Sequence, residues 1–166
     1  EKHVSPYNIM AITFTNKAAA EMRNRVNKIV GFGAEQVWVS TFHSACVRIL
    51  RRYIDRIGYS TDFTIYDTDD QKRLMKNVIK DLNLDSKIYK ENGMLNKISD
   101  FKNKLMTTGD VSSMAKRDFR MLNVSKIYDN YQEALKNNNA LDFDDLIMKT
   151  VQLFTKCPEV LESYQD

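Results

Sequence analysis

The segment with the clearest chemical potential is Thr13-Phe-Thr-Asn-Lys17, which lies between a short apolar run and an amphipathic helical pattern. It combines two hydroxyls, an amide and a cation with an aromatic ring. Polar groups and backbone N–H donors at a helix start can hold phosphate oxygens, and an aromatic ring can stack on a base. These residue types favour a nucleic-acid strand as the ligand. The alternative is an ordinary strand-to-helix turn, in which Thr15 or Asn16 caps the helix and Phe14 belongs to the core.

A second turn of the same kind is Ser40-Thr-Phe-His43, which follows the β-branched and aromatic run that begins at Val37. The hydroxyl of Thr41 and the imidazole of His43 could donate hydrogen bonds to a phosphate or a base. If the two apolar runs pair as parallel strands, both turns emerge at the same carboxyl edge of the sheet, where α/β proteins bind ligands. A purely structural histidine is the alternative.

The distribution of charge agrees with a polyanionic ligand. The whole chain carries a net charge of +3. Residues 1–60 hold nine Lys or Arg and four Asp or Glu, a net of +5, whereas residues 141–166 hold two and six, a net of −4. The basic excess therefore lies with the two turns, as expected if they face a nucleic acid. A solvated basic face would give the same pattern.

Composition bounds the other classes of function. Apolar residues make up 43% of the 166 residues, enough for the core of one domain or slightly more. Charges interrupt every apolar stretch, and no signal-peptide pattern is present at the start, so we expect no membrane partner and a cytoplasmic location. Cys46 and Cys157 form no C-x-x-C pair and lie in apolar helical patterns, which favours reduced thiols.

Motifs for catalysis or for metal binding are absent from the sequence. It contains no G-x-x-x-x-G-K-[ST] phosphate loop and no Ser/His/Asp, Cys/His or paired-acid arrangement. We therefore predict no catalytic, cofactor-binding or metal-ligating residue in this chain. Two acidic clusters are interpreted as helix starts instead of metal sites: Asp67, Asp69 and Asp70, and Asp142, Asp144 and Asp145.

The first sixty residues alternate strand and helix patterns, which predicts a parallel βαβ arrangement with strands at 9–14 and 37–42. Two strands are too few for a sheet that is covered on both faces. The sequence also begins with Glu1 instead of Met, so we expect a fragment of a longer protein. The residues predicted to be buried by the two helices are Ala18, Met22, Val26, Ile29 and Val30, and Cys46, Ile49, Leu50, Tyr53, Ile54 and Ile57.

After residue 60 the pattern is mainly helical. A short extended stretch, Phe63–Tyr66, precedes a helix that a Thr68/Gln71 capping box is predicted to open. Asn92-Gly93 is interpreted as a break, the Thr107–Asp110 region as a polar span, and Asn137–Asn139 as a helix end. Asp142 is predicted to cap a further helix and Pro158 to begin the last one. The residues that the Asp142 helix is expected to bury are Phe143, Leu146, Ile147, Val151 and Phe154.

Several of these segments together resemble one protein family. Ala11–Met22 resembles motif Ia, and Ser40–Arg52 motif Ib, of the superfamily 1 DNA helicases in the UvrD/PcrA/Rep group, its PcrA branch most of all. The segments Phe63–Asp67, Ile98–Asn103 and Leu141–Leu146 are similar to others in the group, in the same order.

The resemblance implies a predominantly helical α/β fold. Its partial RecA-like parallel sheet would be an incomplete P-loop NTPase fold with an inserted α-helical subdomain. The implied boundaries are residues 1–61 and 140–166 for the RecA-like motor domain and 62–139 for the insertion.

The resemblance also implies a function. The parent would be an ATP-dependent helicase that translocates 3′ to 5′ on single-stranded DNA and unwinds duplex DNA in repair or replication. Phe14, Thr15 and Asn16 in motif Ia, and Thr41 and His43 in motif Ib, would contact the single strand. The parent would use ATP and Mg²⁺, and its location would be cytoplasmic, in association with the nucleoid.

In that family the phosphate loop lies before the position of Glu1, and the Mg-binding Asp-Glu pair lies beyond residue 166. We therefore expect this fragment to be inactive as an ATPase. Its expected partners are single-stranded DNA, the junction with duplex DNA, the second RecA-like domain of the parent, and further copies of itself paired at exposed strand edges. The alternatives are a non-enzymatic DNA-binding or scaffold module, and the helicase subunit of a recombination nuclease complex.

Overall fold

Two parallel strands, β1 (Met10–Thr13) and β2 (Trp38–Thr41), form the sheet that carries the two turns. They belong to a computed structural model that describes residues 4–116 and 118–165. Both strands are shorter than predicted, and a helix follows each of them closely: α1 spans Asn16–Val30 and α2 spans Phe42–Tyr53. The register pairs Met10 with Trp38 and Thr13 with Thr41, so both strands end at the same edge.

Helix α1 packs on the sheet, but its last turn is exposed. Arg23 donates a hydrogen bond of 2.9 Å to the carbonyl oxygen of Val39 on β2, and Ala19 is buried. The prediction that α1 buries Ile29 and Val30 is wrong, since Ile29 is 84% exposed and Val30 is exposed as well. A helix of this length extends about 22 Å, whereas four strand residues extend about 13 Å, so the small sheet cannot cover its last turn.

A second pair of short parallel strands joins the helical segment to the rest. Thr64–Ile65 (β3) pairs with Ala140–Leu141 (β4), so the chain leaves and returns side by side. Asn139, whose backbone is in the left-handed region at φ 46°, connects the segment before β3 to the segment before β4. Its Oδ1 accepts a hydrogen bond of 2.9 Å from the Ser60 N–H. The domain boundaries at 61/62 and 139/140 stay a prediction.

The described residues between β3 and β4 form the helices α3 (Thr68–Asp81), α4 (Glu91–Asn103), α5 (Thr108–Ala115) and α6 (Phe119–Asn137). Their shared core is formed by large side chains that are almost completely buried. The principal members are Met75, Ile79, Ile98, Val111, Ile127, Tyr128, Tyr131 and Leu135.

Two further helices follow β4: α7 (Phe143–Lys156) and α8 (Pro158–Glu162). Helix α7 packs against α2 and against the 3-10 turn Ile54–Ile57 that follows it, where Ile49, Leu50 and Ile54 are buried as predicted. The Asp142 cap and the helix start at Pro158 are also confirmed. The predicted fold class, a predominantly helical α/β chain with a partial parallel sheet and a helical insertion, is confirmed for the described residues.

Three local predictions in the helical segment are wrong. Thr107–Asp110 is a helix start instead of a polar span, because Thr107 and Asp110 form the capping box of α5. Asn92 and Gly93 lie in the first turn of α4 instead of breaking the chain. The first-turn N–H groups of a helix have no intrahelical partner, so this position tolerates a glycine better than the helix interior does.

The third concerns the capping box of α3, which lies one residue earlier than predicted. Asp67 is the N-cap, and its Oδ1 accepts hydrogen bonds of 2.9 Å from the N–H groups of Asp69 and Asp70. These backbone hydrogen bonds lower the pKa of the Asp67 carboxyl. Asp67 keeps an extended backbone, as an N-cap must, whereas Thr68 is already helical.

Replacement of the true cap should therefore cost more than replacement of its neighbour. We expect Asp67→Ala to lower the midpoint of thermal unfolding by about 3 °C, because two N–H groups lose their acceptor. The matched variant Thr68→Ala should leave the midpoint nearly unchanged. Circular dichroism at neutral pH measures both, and a larger loss for Thr68→Ala would contradict the assignment.

Candidate nucleic-acid interface

The turn after β1 presents an aromatic ring to solvent. Thr15 is the N-cap of α1, and its Oγ1 accepts a hydrogen bond of 3.1 Å from the Ala18 N–H. The cap leaves Phe14 outside both the strand and the helix, with 86% of its surface exposed. The alternative in which Phe14 belongs to the core is therefore wrong. Asn16 and Lys17 follow as exposed residues of the first turn.

The turn after β2 also has a threonine as the helix N-cap, but here the threonine side chain is buried. Thr41 is the N-cap of α2: its Oγ1 accepts from the Ser44 N–H at 3.2 Å and donates to Ser44 Oγ at 2.9 Å. The Thr41 side chain is buried, so its hydroxyl serves the turn itself. Phe42 and His43 are the first two helical residues, exposed and half-buried respectively.

Aromatic contacts join the two turns and extend them to a third segment. The rings of Phe14 and Phe42 lie 5.1 Å apart. His43 stacks almost flat on Phe143, the first residue of α7, with ring centroids 3.9 Å apart and an interplanar angle of 19°. We call Phe14, Phe42, His43 and Phe143 the aromatic edge. The structure thus brings together residues from three separate parts of the sequence.

Phe143 is the member of the aromatic edge that the sequence interpretation placed wrongly. It was predicted to be buried by α7, but it is 54% exposed, and Ile147 and Val151 are also exposed. The buried side of α7 consists of Asp145, Leu146, Thr150 and Leu153 instead. A signal was present in the sequence, because a lone aromatic between Asp142 and two further acids lies in a first turn that is otherwise polar.

The electrostatics of the aromatic edge depend on His43. Partial burial lowers the pKa of its imidazole, and the nearby carboxylate of Asp144 opposes this shift without cancelling it. The pKa therefore lies below the usual value of about 6.5, and the imidazole is neutral at neutral pH. A neutral imidazole can donate one hydrogen bond and accept another, and its faces can stack.

Two arginines of α2 lie over aromatic rings that do not belong to the aromatic edge. The guanidinium of Arg48 lies 4.5 Å from the ring centre of Trp38, and that of Arg52 lies 5.4 Å from that of Tyr53. These arginines also line a cavity of about 670 Å³ together with Arg23, Trp38 and Tyr164. The cavity borders the strands and does not include the aromatic edge, so the two features are distinct.

Among residues 4–116 and 118–165, no group of three or more His, Cys, Asp or Glu side chains could hold a metal ion. In the same part of the chain, every helix is too short or too polar to cross a membrane.

The fold and the aromatic edge define an α/β protein in which exposed rings and polar helix starts meet at the carboxyl ends of parallel strands. Comparison with known proteins gives the family. The chain belongs to the UvrD/REP helicase family, because the model of that family's N-terminal domain matches residues 1–166. The predicted resemblance to the UvrD/PcrA/Rep group, and with it the partial RecA-like fold, is confirmed.

Individual relatives agree with the family. The chain is 54% identical over 166 residues to proteins named ATP-dependent DNA helicase PcrA from Staphylococcus aureus (strain COL) and from Staphylococcus epidermidis (strain ATCC 12228). Each match covers 100% of this chain and 23% of the relative. The chain therefore spans about a quarter of the length of the curated relatives it matches.

The pKa of His43 should respond in opposite directions to its two neighbours. Phe143→Ala should raise it, because the imidazole gains solvent, and Asp144→Asn should lower it, because a stabilising negative charge is lost. Proton NMR of the imidazole resonances against pH measures both values. An unchanged pKa in Phe143→Ala would contradict the stacked geometry.

Proposed function

We propose that this chain is part of an ATP-dependent DNA helicase that translocates 3′ to 5′ on single-stranded DNA and unwinds duplex DNA in repair or replication. Its own contribution is a section of the single-strand track. Membership of the UvrD/REP family and the names of the relatives support the activity. The aromatic edge is the observation that carries the assignment of the track, because it joins both predicted turns.

Each predicted DNA-binding residue has a role in this proposal. Phe14 stacks on a base, since its ring is almost fully exposed. Thr15 and Asn16 orient the start of α1, whose first N–H groups and positive dipole end attract a phosphate. His43 stacks or exchanges hydrogen bonds with the strand. Thr41 acts through the turn that it caps, because its side chain is buried and already bonded.

The site that binds and hydrolyses ATP is proposed to lie in other parts of the parent. The sequence contains no phosphate loop, so we infer that ATP and Mg²⁺ are held outside this chain. In the parent, hydrolysis would alternately tighten and loosen the grip of two RecA-like domains on the strand. The chain alone is proposed to hydrolyse no ATP.

The proposed partners follow from the same assignment. They are single-stranded DNA, its junction with duplex DNA and the second RecA-like domain of the parent. A second copy could also pair with a free edge of the β1–β2 sheet, because two strands leave backbone groups unpaired. The match to helicase relatives along the whole chain favours this account over a scaffold module.

Binding of oligo-dT tests the proposal. We expect weak, strongly salt-dependent binding by the 166-residue chain, and about tenfold weaker binding by Phe14→Ala, as the loss of one stacked base would give. Fluorescence anisotropy at fixed low salt measures both.

Phe32→Ala provides the matched control, because Phe32 is also fully exposed but lies beyond the opposite end of α1. Its affinity should equal that of the wild-type chain. Equal losses for Phe14→Ala and Phe32→Ala would show a non-specific aromatic effect and contradict the track.

A further inference from the structure

Lys102 is a charged side chain buried in the middle of the protein. Its side chain is 0% exposed, and its Nζ lies 2.6 Å from Asp142 Oδ2 and 3.0 Å from Asp145 Oδ1. Tyr131 donates a hydrogen bond of 3.1 Å from its hydroxyl to the same Asp142 oxygen. We call Lys102, Asp142, Asp145 and Tyr131 the buried ion cluster. It joins α4 and α6 of the helical segment to the start of α7.

The ammonium group of Lys102 keeps its charge in spite of its buried position, whereas burial raises the pKa of the Asp145 carboxyl. Burial alone would lower the pKa of Lys102, but the carboxylates of Asp145 and Asp142 outweigh it and hold the pKa above its ordinary value. The ammonium group of Lys149 also faces Asp145 from α7. A buried ion pair rarely stabilises a protein more than well-packed apolar residues would. The geometry of the cluster is therefore more informative about its role than its contribution to stability.

The two carboxylates serve the helix start and the lysine at the same time. Asp142 Oδ1 accepts a hydrogen bond of 2.8 Å from the Asp145 N–H, while Asp142 Oδ2 contacts Lys102. Asp145 Oδ2 accepts from the Asp142 N–H, while Asp145 Oδ1 contacts Lys102. The first turn of α7 is therefore fixed both by its own capping hydrogen bonds and by the contacts to Lys102 of α4.

Phe143 lies in the chain between the residues that Lys102 holds. Its backbone is part of the capped turn, and its ring stacks on His43 of the aromatic edge at 3.9 Å. A shift or rotation of this turn would move the ring off the imidazole. The contact from Lys102 to Asp142 is thus connected to the aromatic edge by one residue.

We propose that Lys102 is a positioning residue for the aromatic edge, which it serves by fixing the first turn of α7 so that Phe143 stacks on His43. The inference rests on the proposed function as far as DNA binding is concerned. It adds that the helical segment contributes to the single-strand track indirectly. The buried contact between Lys102 and Asp142 positions Phe143, and Lys102 itself does not contact the DNA.

The experiment compares Lys102→Met with Lys97→Met in the 166-residue chain. Lys97 lies on the same helix and is exposed, so it controls for the loss of one positive charge. Proton NMR reads the ring-current shift that Phe143 imposes on the His43 resonances, and anisotropy reads the affinity for oligo-dT at fixed salt. Lys102→Met should lose most of the ring-current shift and bind about tenfold more weakly. Lys97→Met should keep the shift and lose at most about twofold in affinity.

A second variant guards against simple unfolding. Lys102→Met/Asp145→Asn removes one charge of each sign, and the amide oxygen introduced by Asp145→Asn can still accept the hydrogen bond from the Asp142 N–H. With circular dichroism showing a folded chain, loss of the ring-current shift supports the proposal, because folding is kept while the position of Phe143 is not. A folded double variant with the wild-type shift and wild-type affinity would overturn it.

The two readouts separate this proposal from the proposed function. If the wild-type chain bound no oligo-dT, the track would be refuted, but the ring-current shift would still decide whether Lys102 positions Phe143. If the variant kept the shift and lost affinity, the positioning role would be refuted while the track survived.

Discussion

The in-register pairing of β1 with β2 is the constraint on which the aromatic edge depends. Because Thr13 lies opposite Thr41, the two strands end together and their helices start side by side. Only Phe14 and Thr15 separate β1 from α1, and no residue separates β2 from α2, so this register brings Phe14 and Phe42 close to each other. A slip of one residue would turn each side chain to the other face of the sheet.

The N-caps of the helices place the helix starts directly at the ends of the paired strands. Thr15 and Thr41 each accept a backbone N–H of the first helical turn, which stops the strand and starts the helix within two residues. Asp142 does the same for α7, which brings Phe143 to His43. Three capped helix starts therefore meet at one place, and their N–H groups and dipoles favour an anionic ligand there.

Local patterns predicted most of this arrangement. The strands, the two turns and the buried residues Ile49 and Leu50 of α2 follow from alternation and helical spacing, which act within a few residues. Phe14 could not be assigned from its type, because an aromatic after a strand suits a core as well as a surface. In the structure Thr15 caps α1, and the ring of Phe14 is exposed to solvent.

Predictions failed where the deciding partner was distant in sequence. Ile29 has helical spacing, but within residues 4–116 and 118–165 nothing covers it, since the sheet ends too early. Lys102 has the charged residues Asp100 and Lys104 two positions away in the sequence, and its burial depends on carboxylates about forty residues later. Asp142 and Asp145 were correctly predicted to start a helix, yet their second role toward Lys102 had no local signal. Long-range ion pairing of this kind is not encoded in periodicity.

The central claim is that the turns after β1 and β2 and the start of α7 form one surface for single-stranded DNA. Nitrogen–proton correlation spectra of the chain, titrated with oligo-dT, test it most directly. We expect the amides of residues 14–16, 41–43 and 143–144 to shift together with a single apparent Kd. Shifts confined to α3–α6, or separate Kd values for the two turns, would contradict it.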